Sequence, residues 1–405
     1  MSADRTDGGG VGHGQRPLDV FIVAGEESGD ALGAGLLREL AALAPAGASF
    51  RGVGGAGMRA AGLASLFPME DLTAMGIAQV VAGLPRILRR MGEVVEAIVA
   101  APPDVLVLVD LPDFNHRVAA RVRRRLPHLP IVKYVAPTVW VWREGRARAM
   151  RPHVDRVLAV LPFEPEVMER LGGPPTTYVG HPLLGELDRL RPSPAEAARR
   201  AGEPPVLLVL PGSRRSEIAR LGDDFGAVIG LLRERVPGLE LVLPTLPARL
   251  AQVEAMVAGW PQRPRIVVGE AERRAAFRIA RAALAASGTV TLELALAGVP
   301  TVAAYRIPRI EGWIAPYLLK VTTAILPNLI LGANAMPEYL QWHIDPPAMA
   351  ARLAELIAGG EERERQLAAF ARLDAVMELG GEAPSRRAAR AVLEAAEARE
   401  GAAPG

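Results

Sequence analysis

Short runs of β-branched and leucine residues alternate along this chain with longer segments rich in alanine, leucine and arginine. Runs such as Val105–Val109 and Val206–Leu210 are apolar at every position. A strand like that is buried on both faces, which happens inside a parallel sheet covered by helices. The segments between, for example Ala31–Leu43 and Arg117–Arg125, have the length and composition of helical crossovers. The first half supplies candidate strands Asp19–Ala24, Phe50–Val53, Val105–Val109, Ile131–Val135 and Arg156–Val160. After Leu184–Pro205, a stretch rich in proline and charge, the alternation restarts with Val206–Leu210, Leu239–Leu243, Arg265–Val268, Ala282–Ala286 and Pro300–Ala304. The pattern predicts an α/β protein of two units. A polar tail covers 1–17, the first unit 18–186, a linker 187–204, the second unit 205–346 and helices 347–400.

Composition narrows the chemistry. The 405 residues include no cysteine, which removes disulfides, thiolate zinc sites and a cysteine nucleophile. Of 47 basic residues only Lys133 and Lys320 are lysine, a bias that genome base composition alone would produce. With 45 acidic residues the net charge is +2, which argues against a broad basic face for nucleic acid. Residues 1–17 lack the apolar core of a signal peptide, and no run of about 18 apolar residues would span a bilayer.

Ligands of open parallel sheets bind beyond the carboxyl ends of the strands, so the residues following each strand carry the candidates. The first strand leads into Ala24-Gly25-Glu26-Glu27-Ser28-Gly29-Asp30. There Ser28 and Gly29 suit an anion at a helix start, although Ser28 or Asp30 would serve equally as an N-cap. Val105–Val109 delivers Asp110, then Asp113 and Asn115. A carboxylate at a strand end is a candidate general base, and the alternative is a helix cap. Trp140 and Trp142, beside Arg143, suit stacking or sugar contact, or else interface packing. In the second half Pro211-Gly212-Ser213-Arg214 offers amides, a hydroxyl and a cation to a diphosphate. Ser287-Gly288-Thr289 repeats that logic, and Glu293, one turn on, has the reach to accept both hydroxyls of a ribose. His181 either polarises a substrate or is structural. The apolar stretch Met75–Met91 contains Met75 and Ile77, is broken by Gly83 and Pro85, and is edged by Arg86, Arg89 and Arg90. It suits an anionic headgroup layer, or else a core-facing helix.

Together these segments resemble the lipid-A-disaccharide synthase family, inverting glycosyltransferases of the GT-B type. The resemblance runs from about Asp19 to Gln341. Its blocks are AGEESGD (24–30), GVGGAGM (52–58), AMGIAQVV (74–81), PDVLVLVDLPDFN (103–115), YVAPTVWVWR (134–143), LPFEPEVM (161–168), VGHPL (179–183), LPGSRRSEI (210–218), ASGTVTLE (286–293) and LPNLILG (326–332). It implies two Rossmann-like domains with parallel sheets facing across a cleft, the acceptor on the first and UDP on the second. The C-terminal helices would cross back to the first domain. The implied substrates are UDP-2,3-diacylglucosamine and 2,3-diacylglucosamine 1-phosphate, with no cofactor or obligatory metal. It also implies a peripheral place on the inner face of the bacterial inner membrane, and leaves a homodimer open. Asp113 would be the general base, with Asp110 as the alternative. Where the family often continues LPNLILG with Arg-Glu, this chain has Ala333 and Asn334, so Arg214 or Arg306 would have to supply the cation near the donor phosphates.

Overall fold

The computed structural model describes residues 16–72, 77–306 and 323–400, and two fully parallel sheets form its frame. The first comprises β1 (Leu18–Val23), β2 (Ala48–Val53), β3 (Leu63–Ser65), β4 (Val105–Val109), β5 (Ile131–Tyr134), β6 (Arg156–Ala159) and β7 (Thr176–Tyr178). Their order is β3-β2-β1-β4-β5-β6-β7. The second comprises β8 (Val206–Leu210), β9 (Glu240–Thr245), β10 (Arg265–Val268), β11 (Ala282–Ala286), β12 (Thr301–Tyr305) and β13 (Glu338–Leu340), in the order β10-β9-β8-β11-β12-β13. In each sheet the winding reverses once, between β1 and β4 and between β8 and β11. Crevices open at such reversals, beyond the carboxyl ends of the strands.

The strands are apolar throughout because both faces are covered. Phe21, Val23, Leu106 and Leu108 face a core completed by Met91, Val94, Ile98, Val118 and Val122 from helices Ile77–Ala100 and Pro112–Arg125. The alternate positions Val20, Ile22, Val105 and Val107 face Leu36, Leu37 and Leu40 of helix Glu27–Leu43. The same core takes Ala388, Ala389 and Val392 of the last helix, Pro384–Glu400. That helix has therefore crossed back to the first sheet. Its predecessors, Pro346–Ala358 and Glu361–Met377, bury Leu353 and Leu373 against the second.

Four strands have the bounds expected from sequence: β4, β8, β10 and β11. The three-residue edges β3, β7 and β13 are too short to leave a pattern. The stretch expected as a linker folds into helices Leu187–Leu190 and Pro194–Ala201. Its proline and charge are helix-start signals, since Ser193 and Glu196 close a reciprocal capping box with Pro194 at the first turn. Arg200 fastens this segment to the second unit, donating to the carbonyls of Phe277, Arg278, Ala297 and Gly298 at 3.0 Å each. The break expected at Gly83 and Pro85 is also absent, because helix Ile77–Ala100 continues through Pro85. An internal proline removes one backbone bond, and the burial of Met91, Val94 and Ile98 anchors the rest of the helix.

Candidate active site

Beyond β4 the chain takes two left-handed residues, Asp110 (φ 43°) and Leu111 (φ 45°), before helix Pro112–Arg125 begins. Neither is glycine, and such conformations cost about 1–3 kcal/mol each unless the surroundings over-determine them. Here they do. Buried Asn115 donates through Nδ2 to the carbonyls of Val109 and Asp110, both at 2.9 Å. From beneath, the Lys133 ammonium donates to Leu108 at 3.4 Å, to Tyr134 at 3.3 Å and to the Asp110 carbonyl. Lys133 is only 1% exposed, and burial draws its pKa down to about 7. Asn115 thus works on the turn's carbonyls through Nδ2, while its buried Oδ1 accepts no hydrogen bond from the described residues.

Asp113 lies in the first turn of the helix rather than in a loop. Its side chain is 76% exposed, and Oδ1 accepts from Arg146 at 2.5 Å. Arg146 also lies 5.6 Å from the Trp142 ring, which carries the Arg143 guanidinium at 4.1 Å. The fold therefore brings the aromatic-arginine segment to Asp113. Asp110 differs: its carboxylate is half-buried and takes no hydrogen bond from the described residues. His116, which no sequence spacing singled out, is largely buried nearby. Burial, with Lys133 and Arg146 adding to it, pulls its pKa down to about 4, so the ring is neutral at ordinary pH.

The glycine-rich turns of the first sheet are explained by packing. Asp30 accepts from the amides of Gly55 and Gly57 at 2.8 Å and Met58 at 3.0 Å, tying two turns together. A Cβ on Gly55 would stand 2.7 Å from its carboxylate. Gly29 is buried against Ala24 and Val109, whereas Ser28 is exposed at the helix start. Gly25 admits Leu111, whose Cδ2 would lie 2.5 Å from a Cβ there, so the turns after β1 and β4 touch.

Beyond β8, β9, β11 and β12 a cleft of about 640 Å³ is lined by Gly212, Ser213, Arg214, Ser287, Gly288, Thr289 and Glu293. Glu217 is the unexpected occupant. Its Oε2 accepts from the amides of Ser213 and Arg214, each at 3.2 Å, so those two donors are already taken. What Arg214 offers the cleft is its guanidinium, 76% exposed and paired with Glu217 at 3.2 Å. The Ser287 hydroxyl is also engaged, donating to the Ala324 carbonyl at 3.0 Å. Gly288 opens helix Thr289–Leu296, and the cleft is lined there by Thr289 and Val290, whose amides stand in the first turn where no intrahelical partner exists. Glu293, in the next turn, is held by Arg273 at 2.5 Å. Arg306 does not line the cleft and is bonded to Asp224 at 3.0 Å. Arg273, Glu270, Leu246 and Tyr305 line it unannounced by any motif.

Trp140 is an interface residue. It packs edge-on to Phe163, 5.3 Å between centroids, and joins the apolar cluster that continues into the second unit. Arg90 is only 19% exposed, bound to Asp71 at 2.6 Å and stacked 4.4 Å from Phe67. Arg86 and Arg89 are exposed, with Leu88 between them. Met75 lies outside the described residues, as does the Ile77 side chain. No described helix is long and apolar enough to cross a membrane.

A family model described as lipid-A-disaccharide synthetase matches residues 20–394. A lipid-A-disaccharide synthase of Nitrobacter winogradskyi is 54% identical over 376 residues, covering 93% of this chain and 95% of that one. That of Rhodospirillum centenum is 42% identical, covering 93% and 94%. Among solved structures, a UDP-N-acetylglucosamine 2-epimerase aligns with a TM-score of 0.60 at 13% identity, covering 95% of this chain and 98% of that one. A calicheamicin glycosyltransferase aligns with a TM-score of 0.56 at 18% identity, covering 96% and 100%. At such identities the structural likeness speaks for the two-sheet GT-B fold alone. The sequence relatives and the family match go further, and the chain belongs to the lipid-A-disaccharide synthetase family.

Proposed function

We propose that this glycosyltransferase moves 2,3-diacylglucosamine from UDP to the 6-hydroxyl of 2,3-diacylglucosamine 1-phosphate, with inversion, giving the β-1,6 disaccharide 1-phosphate and UDP. The observation that carries the reading is the pair of reversal points. One presents the Asp110 and Asp113 carboxylates on a strained, braced turn, and the other a cleft with Arg214, a helix N-terminus and Glu293. Asp113 is the general base, held at Oδ1 by Arg146 with Oδ2 open to the acceptor hydroxyl; Asp110 is the alternative. As the acceptor oxygen attacks the anomeric carbon, its proton passes to the carboxylate and the bond to UDP breaks on the opposite face. Negative charge grows on the diphosphate. The Arg214 guanidinium, the Ser213 hydroxyl and the amides of Thr289 and Val290 are the groups placed to meet it. Gly288 gives the phosphates room, Gly212 makes way for Glu217 beside them, and Glu293 takes the ribose. Ser28 and Trp142 border the acceptor, while exposed Arg86 and Arg89 with Leu88 suit an anionic membrane surface.

Pure protein mixed with both lipids in detergent micelles should yield a disaccharide phosphate by mass spectrometry. UDP binding without that product would mark a nucleotide-sugar-binding module instead. Conversion of the UDP-sugar without the acceptor would point to an epimerase.

A further inference from the structure

Arg273 belongs to helix Glu270–Ile279 and reaches across to Glu293 on another helix. Its guanidinium is used on every edge. One nitrogen lies 2.5 Å from Glu293 Oε2, and the other two donate to Glu270 at 3.0 and 2.9 Å. Its face stacks 5.2 Å from the buried Phe277 ring. Glu270 is itself fixed, accepting from Arg274 at 2.7 Å, and Arg274 continues to Glu186 at 2.7 Å in the segment that joins the two units. Arg273, Glu270 and Glu293 all line the cleft. Glu293 Oε1, by contrast, accepts no hydrogen bond from the described residues. The result is a carboxylate with one oxygen clamped and the other open.

We propose that Arg273 is the positioning residue for sugar recognition in the nucleotide: it immobilises Glu293 so that the open oxygen meets the ribose hydroxyls. The inference rests on reading this cleft as the UDP site. The clamp matters for specificity more than for affinity. A carboxylate free to rotate swings toward water when a hydroxyl is missing, and little is lost. A clamped one stays behind as an unpaired acceptor in a partly dry cleft, so the nucleotide lacking the hydroxyls is penalised. Arginine suits the task because its planar fork binds two carboxylates at once in a fixed relation.

The test is calorimetric titration of the full chain with UDP and with its 2′,3′-dideoxy analogue, alongside thermal melting. The wild type should prefer UDP by about tenfold or more, the usual scale for hydrogen bonds to a charged group. Glu293→Gln and Arg273→Met should each bring that preference within about threefold, Glu293→Gln mainly by weakening UDP and Arg273→Met mainly by strengthening the analogue, since an unclamped carboxylate turns to water where the hydroxyls are missing. If Arg273→Met melts too early to titrate, Glu270→Gln loosens the same guanidinium from its other side and should also lower the preference. A collapse in Glu293→Gln with the wild-type preference kept in Arg273→Met, or in Glu270→Gln where that variant decides, overturns the role of Arg273. An unchanged preference in Glu293→Gln overturns the ribose assignment itself, and no UDP binding by the wild type overturns the reading of the cleft.

Discussion

Asp110 and Asp113 come from one short motif yet meet different neighbours, and the difference decides what each can do. Asp113 is exposed, oriented by Arg146, and set at a helix start; Asp110 sits in the strained turn with a carboxylate that none of the described residues bonds. Replacing Asp113 by Asn should lower kcat by about 10²–10⁴-fold, the usual worth of a general base, with UDP affinity unchanged by calorimetry. Turnover within threefold of wild type would move the role to Asp110. Beneath both lies Lys133, in a chain whose other basic residues are nearly all arginine. A flat five-donor fork cannot set one nitrogen among three carbonyls inside a closed core, whereas an ammonium can. Lys133→Met keeps the stem but removes the ammonium's bonds, leaving the Asp110 carbonyl to Asn115 and the Tyr134 carbonyl to the Asp110 amide. It should cost about 1–3 kcal/mol in denaturant melts and slow turnover about tenfold or more as the turn relaxes. The rarity of lysine is legible in the sequence, but what Lys133 faces is not. Its partners are backbone carbonyls, which no motif encodes.

At the scale of elements, the interior strands were readable because burial on both faces leaves continuous apolar runs, as in β4 and β8. The short edges and the helices of the joining segment were not, since their bounds are set by tertiary bonds such as those of Arg200. The glycine-rich motifs show the same limit. Gly52-Val53-Gly54-Gly55-Ala56-Gly57 is only a loose match to a dinucleotide-binding turn, and its Gly55 and Gly57 amides are satisfied by Asp30 from the neighbouring helix. Asp30→Ala would leave three donors without their anionic acceptor. It should cost about 3 kcal/mol, hydrogen bonds to a charge being worth roughly 1.5–3 each in part offset by solvent. Urea melts at unchanged m-value measure it, and a loss below about 1 kcal/mol would contradict the clamp. Glu217 makes a parallel case: sequence singled out a loop that lines the cleft, but not the carboxylate that fills two of its amides.

For the whole molecule, His181 stands where the first crossing between the units begins. Its Nδ1 accepts from the Leu183 amide at 3.2 Å, and burial pulls its pKa from 6.5 to about 4. The unfolded chain therefore binds this proton more readily than the folded one. The stabilising contribution is complete above about pH 6.5 and is lost as pH falls toward 4. His181→Asn, which keeps an acceptor for Leu183, should flatten that limb of the stability-versus-pH curve, as read from melts at stepped pH. An unchanged limb would assign the acid sensitivity elsewhere. The second crossing, after Met377, runs directly beside the first. The Tyr178 hydroxyl donates to the Met377 carbonyl at 3.0 Å, and Gly180 makes room for Leu379, which would lie 2.2 Å from any Cβ there. Two covalent passages clasped side by side join the halves along a seam, as two hinges hang a door, where a single tether would join them at a point.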